Sequence, residues 1–322
     1  MPEVLYLSPA EVAAAAPPPS EVIDVVTLAL TEKAHGRVLL PPKPTLHPYP
    51  GTLLQAMPGW VEAAHAGGVK WVAAFPENKA RGLPAVSGLI IVNHPETGLP
   101  EAILDAAWIT AARTGAATAV AARALARSNS ETIGLLGAGV QARANAAALK
   151  QVLPSLKRVV VYAPRPQAVD ALRSDLAAHG LEVSAAASPE LAIREADVVV
   201  TAATWPRVNG EPPIVAEWLR PGVFACVVDL DASWTAGAVA HCTRRFTDDL
   251  ATMAVAREKG TFRAWPEAEE LGRVIAGLRP GRQQEDERLV AVILGLAIYD
   301  VVLARRVVDE ARRRGIGTRL PA

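Results

Sequence analysis

The sequence predicts an α/β chain of two domains, one a doubly wound parallel sheet and the other an α+β unit. Three observations carry that prediction. In TIGLLGAGVQARANAAAL, residues 132–149, an apolar run ends in Gly137-Ala138-Gly139-Val140-Gln141-Ala142 and an alanine-rich run follows, which reads as strand, tight turn and helix. From Thr132 to about Phe246 strand and helix patterns alternate, and runs such as DVVVTAA and GVFACVV suit strands covered on both faces. Between residues 39 and 105 the strand patterns are joined by turns too short for a crossover, so those strands must be antiparallel.

The glycine turn has the spacing of a Rossmann-type dinucleotide fold. Gly137 makes the turn, Gly139 lets backbone approach a pyrophosphate, and the small Ala142 permits close packing of helix on strand. The N–H groups of Val140 and Gln141 then open the helix toward phosphates. A second strand, Arg158 to Tyr162, begins about 20 residues after the glycines, the expected βαβ spacing.

At 322 residues the chain can hold two cores, and 51% hydrophobic residues fit a well-buried globular protein. Lys plus Arg equals Asp plus Glu at 33 each, so no global field favours nucleic acid or an anionic membrane, and the expected partner is a small molecule. Two cysteines and no signal-like N-terminus make a reducing cytoplasm the default. The longest apolar run, Leu289 to Ala304, is interrupted by Asp300, so no membrane span is expected.

Taken in order, residues 1 to 19 carry few structural signals and end in a stiff Pro17-Pro18-Pro19 connector. Ser20 reads as the cap of a helix with Val22, Val25, Val26, Ala29 and Leu30 at helical spacing, stopped at Gly36. Leu39 to Gly51 holds too many prolines for regular pairing, which predicts that Lys43 and His47 are displayed. Strands follow at Val69 to Phe75 and Leu89 to Asn93, then a turn to a further strand at Glu101 to Leu104. Asp105 can cap a helix from about Ala106 to Ala126 that leads into the glycine turn, with Arg113 and Thr114 side by side in its first half. Strands are expected at Thr132–Leu136, Arg158–Tyr162, Glu182–Ala185, Asp197–Thr201, Val223–Val228 and Arg245–Thr247. Residues 285 to 314 read as one more long helix, with Leu289, Val292, Ile293, Leu296, Tyr299, Val302 and Leu303 in phase.

Several residues could carry chemistry. At the end of the second strand Ala163 and Pro164 stand where an NAD-binding fold places an acid, and Arg165 follows; a guanidinium suits a 2′-phosphate, which favours NADP(H) over NAD(H). Thr201, at the end of its strand, is a further candidate cofactor contact. Lysines are scarce, seven against 26 arginines, so Lys70 inside an apolar strand either snorkels outward or meets a partner. Asp229 and Asp231 follow a buried strand on what reads as extended backbone, and only one of them is expected to be catalytic. Asp248 and Asp249 read as caps of the helix at Leu250. Trp71, Trp108, Trp205 and Trp234 are candidates to line a pocket. No histidine has ligand spacing with Cys, Asp or Glu, so no metal site is expected.

With these residues in view, the chain resembles the ornithine cyclodeaminase and mu-crystallin family. The resemblance rests on MPGW at Met57, GVKWVAAFPEN from Gly68, GLP at Gly82, ETGLPEAILDAAWITAARTGAAT at Glu96 to Thr118, LLGAGVQA, and the element from Pro221 to Asp231. It implies a substrate-binding and dimerisation domain of residues 1–118 plus 296–322, a dinucleotide-binding domain of 119–295, a homodimer and a nicotinamide cofactor. It places Lys70 and Arg113 on substrate-carboxylate grips, Thr114 on a cofactor phosphate and Asp231 on the general acid/base. Lys43 stands where the family often has an arginine, and offers a point charge instead of a fork. The implied activity is hydride transfer at the C–N carbon of a small imino or amino acid, with Lys70 beside Asp231 as catalytic residues. The alternatives are ornithine cyclodeamination to proline and an NADPH-dependent ligand-binding protein.

Overall fold

The computed structural model describes residues 3–203, 212–263 and 265–321. The chain divides into two compact units, Met1–Arg113 with Gly295–Ala322, and Thr114–Leu294.

The first unit is built on a mixed sheet ordered Thr318–Pro321, Glu3–Leu7, Pro100–Asp105, Val86–Asn93, Ala66–Ala74, Leu53–Val61 and Val38–Leu39, with Thr45–Leu46 also pairing with Leu53–Val61. The antiparallel ladder through residues 53–105 is as expected from its short turns. One face of the sheet is covered by the helix Ala297–Arg314, which also packs on the helix Pro19–Ala34.

Residues 1 to 19 carry more structure than expected: Glu3–Leu7 pairs in parallel with Pro100–Asp105, and Ser8 caps the helix Pro9–Ala14 through a capping box with Glu11. Five residues are too few for periodicity to show a strand. Ser20 is not the cap it was expected to be; the helix begins at Pro19 with Pro18 at the cap position, because a proline in the first turn gives up an N–H that has no partner there anyway. Asp105 does cap the next helix, Ala107–Leu125, accepting from Ala107 N at 2.9 Å. The helix bridges the sequence of both units.

In the second unit every neighbouring pair of strands is parallel, in the order Glu182–Ala185, Arg158–Tyr162, Thr132–Leu136, Val198–Thr201, Phe224–Val227, Leu289–Val292, Arg244–Thr247 and Glu269–Glu270. Helices link successive strands, and this is the doubly wound sheet expected.

The long helix expected over residues 285–314 is instead two elements. Leu289–Val292 is a fully buried strand between Phe224–Val227 and Arg244–Thr247, and the helix starts only at Ala297. A short apolar run fits helix and buried strand equally, and the break falls at Gly295, whose φ is +73°. Asp249 caps the helix Leu250–Glu258, but Asp248 does not; it is fully buried and accepts from Leu294 N at 2.9 Å. No helix among the described residues is long and apolar enough to cross a membrane.

Candidate functional site

The strand Thr132–Leu136 is buried along its whole length and ends at Gly137, whose N–H donates to Tyr162 O at 2.9 Å. Gly137 has φ +101°, and a Cβ there would lie 2.5 Å from Ala202 O, so the turn needs glycine on both counts. Gly139 occupies the cap position of the helix Val140–Val152 without any side-chain cap, and a Cβ on it would meet nothing within 4 Å. Its missing side chain therefore serves open space and not protein packing. Val140 is 61% exposed, Gln141 half-buried and Ala142 fully buried, so the helix opens a surface of backbone N–H groups with a packed inner face. Such an end, at the carboxyl edge of a parallel strand, favours an anion.

Two neighbouring residues differ in what they offer there. Arg165, at the cap position of the helix Pro166–Ala177, is exposed, with Ala163 and Pro164 before it. Thr201 is fully buried; its hydroxyl donates to Asp229 Oδ1 at 2.7 Å and accepts from Trp234 Nε1 at 3.2 Å. The Thr201 side chain thus serves the Asp229 carboxylate and the Trp234 ring. Thr114, at the start of the second unit, is buried.

Asp229 and Asp231 are not on an extended backbone as expected. The strand stops at Val227, and Leu230 between them has φ +61°. Asp229 is buried and accepts from Thr201, Ser233 and Ala203 N. Burial pushes its carboxyl up, against the pull of the Ser233 and Thr201 hydroxyls. Asp231 is half-buried and accepts from Phe262 N at 3.0 Å. Phe262 has φ +60°, so two left-handed non-glycine residues, Leu230 and Phe262, set the surroundings of this one carboxylate. Each costs roughly 1–3 kcal/mol, strain that accumulates where a group must be held in place.

In the first unit, Lys70 lies opposite Met57 and Ile90 in the sheet, on the face covered by the helix Ala297–Arg314. Of the two expectations for it, it meets a partner. It is 1% exposed, with Nζ 2.8 Å from Asp300 Oδ2 and 3.4 Å from Thr110 Oγ1. Arg113 Nε donates to the other oxygen of Asp300 at 3.0 Å. Burial, and then the nearby Arg113 charge, pull the Lys70 ammonium down to about 7, with Asp300 working the other way. Burial alone would raise the Asp300 carboxyl, but Arg113 and Lys70 outweigh it and hold it below the usual range.

Lys43 is not displayed as expected: it is half-buried and donates to the Gly295 carbonyl, whereas His47 is exposed with Nδ1 2.9 Å from Thr52 O. A Cβ at Gly295 would collide with Arg113 Nη1, so this glycine accommodates one cation and binds another. Lys43, Lys70 and Arg113 are thereby gathered round Gly295 and Asp300. Neither of those two organisers was expected from the sequence. The signal for Asp300 was present: it is the lone charge in the apolar run 289–304, and a buried acid requires a cation.

Of the tryptophans, Trp234 is core, Trp108 half-buried and Trp71 44% exposed, while Trp205 lies outside the described residues. Among the described residues no group of three or more His, Cys, Asp or Glu side chains could hold a metal ion.

A doubly wound sheet with an open glycine turn in the second unit, together with a buried cluster of cations in the first, defines the chain as a two-unit α/β protein of the dinucleotide-binding class. More narrowly, it belongs to the ornithine cyclodeaminase/mu-crystallin family, whose model matches residues 9–315. It is 30% identical to a nodulation efficiency protein of Rhizobium meliloti over 98% of both chains. With an alanine dehydrogenase of Archaeoglobus fulgidus it shares 33% identity over 93% of each. The solved structure of Δ1-pyrroline-2-carboxylate reductase from Thermococcus litoralis, in complex with NADH and L-proline, superposes with a TM-score of 0.89 at 28% identity, covering 98% of this chain and all of that one.

Proposed function

We propose that this protein is an NAD(P)-dependent oxidoreductase acting on the carbon–nitrogen bond of a small imino or amino acid. The observation that carries the reading is the Lys70–Asp300–Arg113 cluster: two buried cations share one carboxylate, and Lys43 adds a third cation beside Gly295. The positive excess suits a substrate carboxylate, which is the feature common to alanine and proline, the compounds named in two of the relatives.

A nicotinamide dinucleotide, when bound, supplies or accepts the hydride. Its diphosphate has a fitting place at Gly137, Gly139 and the N–H groups of Val140, Gln141 and Ala142, with Thr114 as a further phosphate contact. The open space over Gly139 supports that fit. Arg165, exposed and with no acid in the preceding Ala163-Pro164, favours a 2′-phosphate and therefore NADP(H). In this reading Lys43, Lys70 and Arg113 hold and orient the substrate carboxylate. Asp231, kept partly accessible by its turn, exchanges a proton with the substrate nitrogen.

The test is oxidation of NADPH and NADH, followed at 340 nm, with cyclic ketimines and with 2-oxo acids plus ammonia or methylamine. Turnover faster with NADPH is expected, and Asp231→Asn should lower kcat by roughly 10²–10⁴ while leaving cofactor binding intact. No turnover on any member of the panel refutes the reading; release of ammonia from ornithine without net change at 340 nm would make the protein a cyclising lyase.

We further propose a homodimer formed through the uncovered face of the first unit's sheet. Trp71 stands opposite Leu89 there, and the two are 44% and 45% exposed, an apolar surface that favours being covered. Sedimentation should show a dimer that Trp71→Lys converts to monomer; a monomeric wild type would end this proposal.

A further inference from the structure

Asp300 has no part in the chemistry just described, yet it is the best-buried charge in the first unit. It sits in the first turn of the helix Ala297–Arg314, fully buried, and ties that helix to the strand Ala66–Ala74 through Lys70 and to the helix Ala107–Leu125 through Arg113. Stability does not account for it, because a buried ionic triad is commonly no more stable than apolar packing of the same volume. Geometry gives a better account. Asp300 engages Arg113 by Nε through one oxygen and Lys70 Nζ through the other, and Thr110 Oγ1 lies 3.4 Å from that same Nζ. Each cation is gripped by one oxygen only, and the glycine at 295 leaves room for Arg113 Nη1.

We propose that Asp300 is a positioning residue: its two oxygens hold Lys70 Nζ and Arg113 at a set spacing, so that both cations meet one substrate carboxylate without reorganising. This rests on the function proposed above. The charged groups facing Lys70 are Arg113 from the helix Ala107–Leu125, Lys43 from the proline-rich segment and Asp300 from the last helix. Of these, Asp300 is the one that favours the protonated lysine. Loss of its charge must therefore lower the pH at which Lys70 discharges.

The test exploits the scarcity of lysine. Lysine-selective 13C labelling gives Cε signals from only seven residues, and the Lys70 signal is assigned by its loss in Lys70→Met. In the wild type its titration midpoint should lie near 7, and in Asp300→Asn about one pH unit lower or more. With the preferred substrate, Asp300→Asn should also raise the substrate KM and lower kcat/KM by about tenfold or more, leaving the KM for NADPH within about twofold. Asp300→Glu keeps the charge but displaces both cations, so it should lower kcat/KM about threefold or more with the midpoint nearer the wild type. An unmoved midpoint in a folded Asp300→Asn protein overturns the proposal, even if activity falls, because a merely structural carboxylate would leave that result. Should Asp300→Asn not fold, wild-type kcat/KM in Asp300→Glu overturns it. The titration needs no turnover, so a protein inactive on every imino and amino acid refutes the proposed function and leaves the role of Asp300 to be decided by the midpoint.

Discussion

In the function proposed above, the glycine turn of the second unit and the charged cluster of the first are two solutions to the same task, presenting positive charge to an anion. The turn uses backbone: contiguous residues 137–142, no side-chain cap, and partial charges that involve no buried ion. The cluster uses whole charges from residues 43, 70, 113 and 300, each buried or half-buried and each dependent on the others. Backbone sites depend on conformation and are insensitive to pH, whereas side-chain clusters depend on desolvation and are pH-sensitive. That difference can be broken or sharpened by substitution.

The largest effect should come from Asp300→Asn, which leaves Lys70 and Arg113 buried without their counter-charge and should cost about 3 kcal/mol at pH 6. The sign of the pH dependence follows from Lys70. Its folded value of about 7 lies below the unfolded one, so the unfolded chain holds the extra proton between the two, and stability rises as pH climbs through that window. The deficit of the variant should accordingly narrow by pH 9, as Lys70 discharges. Urea melts at pH 6 and 9 measure this, and a deficit that is equal at both would contradict the buried, titrating lysine.

Gly137→Ala comes next. With φ +101° and the Ala202 carbonyl in the way, it should destabilise by roughly 1–3 kcal/mol, with no dependence on pH between 6 and 9. A pH-dependent loss would show that the turn is not the purely conformational device described.

The smallest effect on stability belongs to Gly139→Ala, because the new methyl enters open space. Melts should stay within about 0.5 kcal/mol of wild type. Binding of NADPH, followed by its fluorescence, should nonetheless weaken about tenfold, or ~1.4 kcal/mol. Unchanged affinity would mean that the diphosphate does not approach Gly139.

Legibility followed the same division. Thr132–Leu136, Arg158–Tyr162 and Glu182–Ala185 are legible to the residue from pattern: the first is buried throughout, and the other two, exposed in part, are set off by the alternation of strand and helix. Lys70 and Arg113 were singled out by scarcity and by resemblance, but not what they bind. Leu289–Val292 was misplaced into a helix because its apolar run has no period of its own, and Asp300, counted there only as an interruption, was lost with it.

What the sequence by itself determined depends on neighbours in the chain: the glycine turn, the alternation of strand and helix, the antiparallel ladder set by short turns, and the cap at Asp105. Only the tertiary structure decided that the strand 289–292 enters the middle of the parallel sheet, that Lys43 is held by the Gly295 carbonyl, and that one carboxylate at position 300 binds cations from positions 70 and 113. The physical reason is that a hydrogen-bonded turn leaves its mark within a few residues, while the stability of a buried charge is set by whichever distant partner the fold brings within about 3 Å of it.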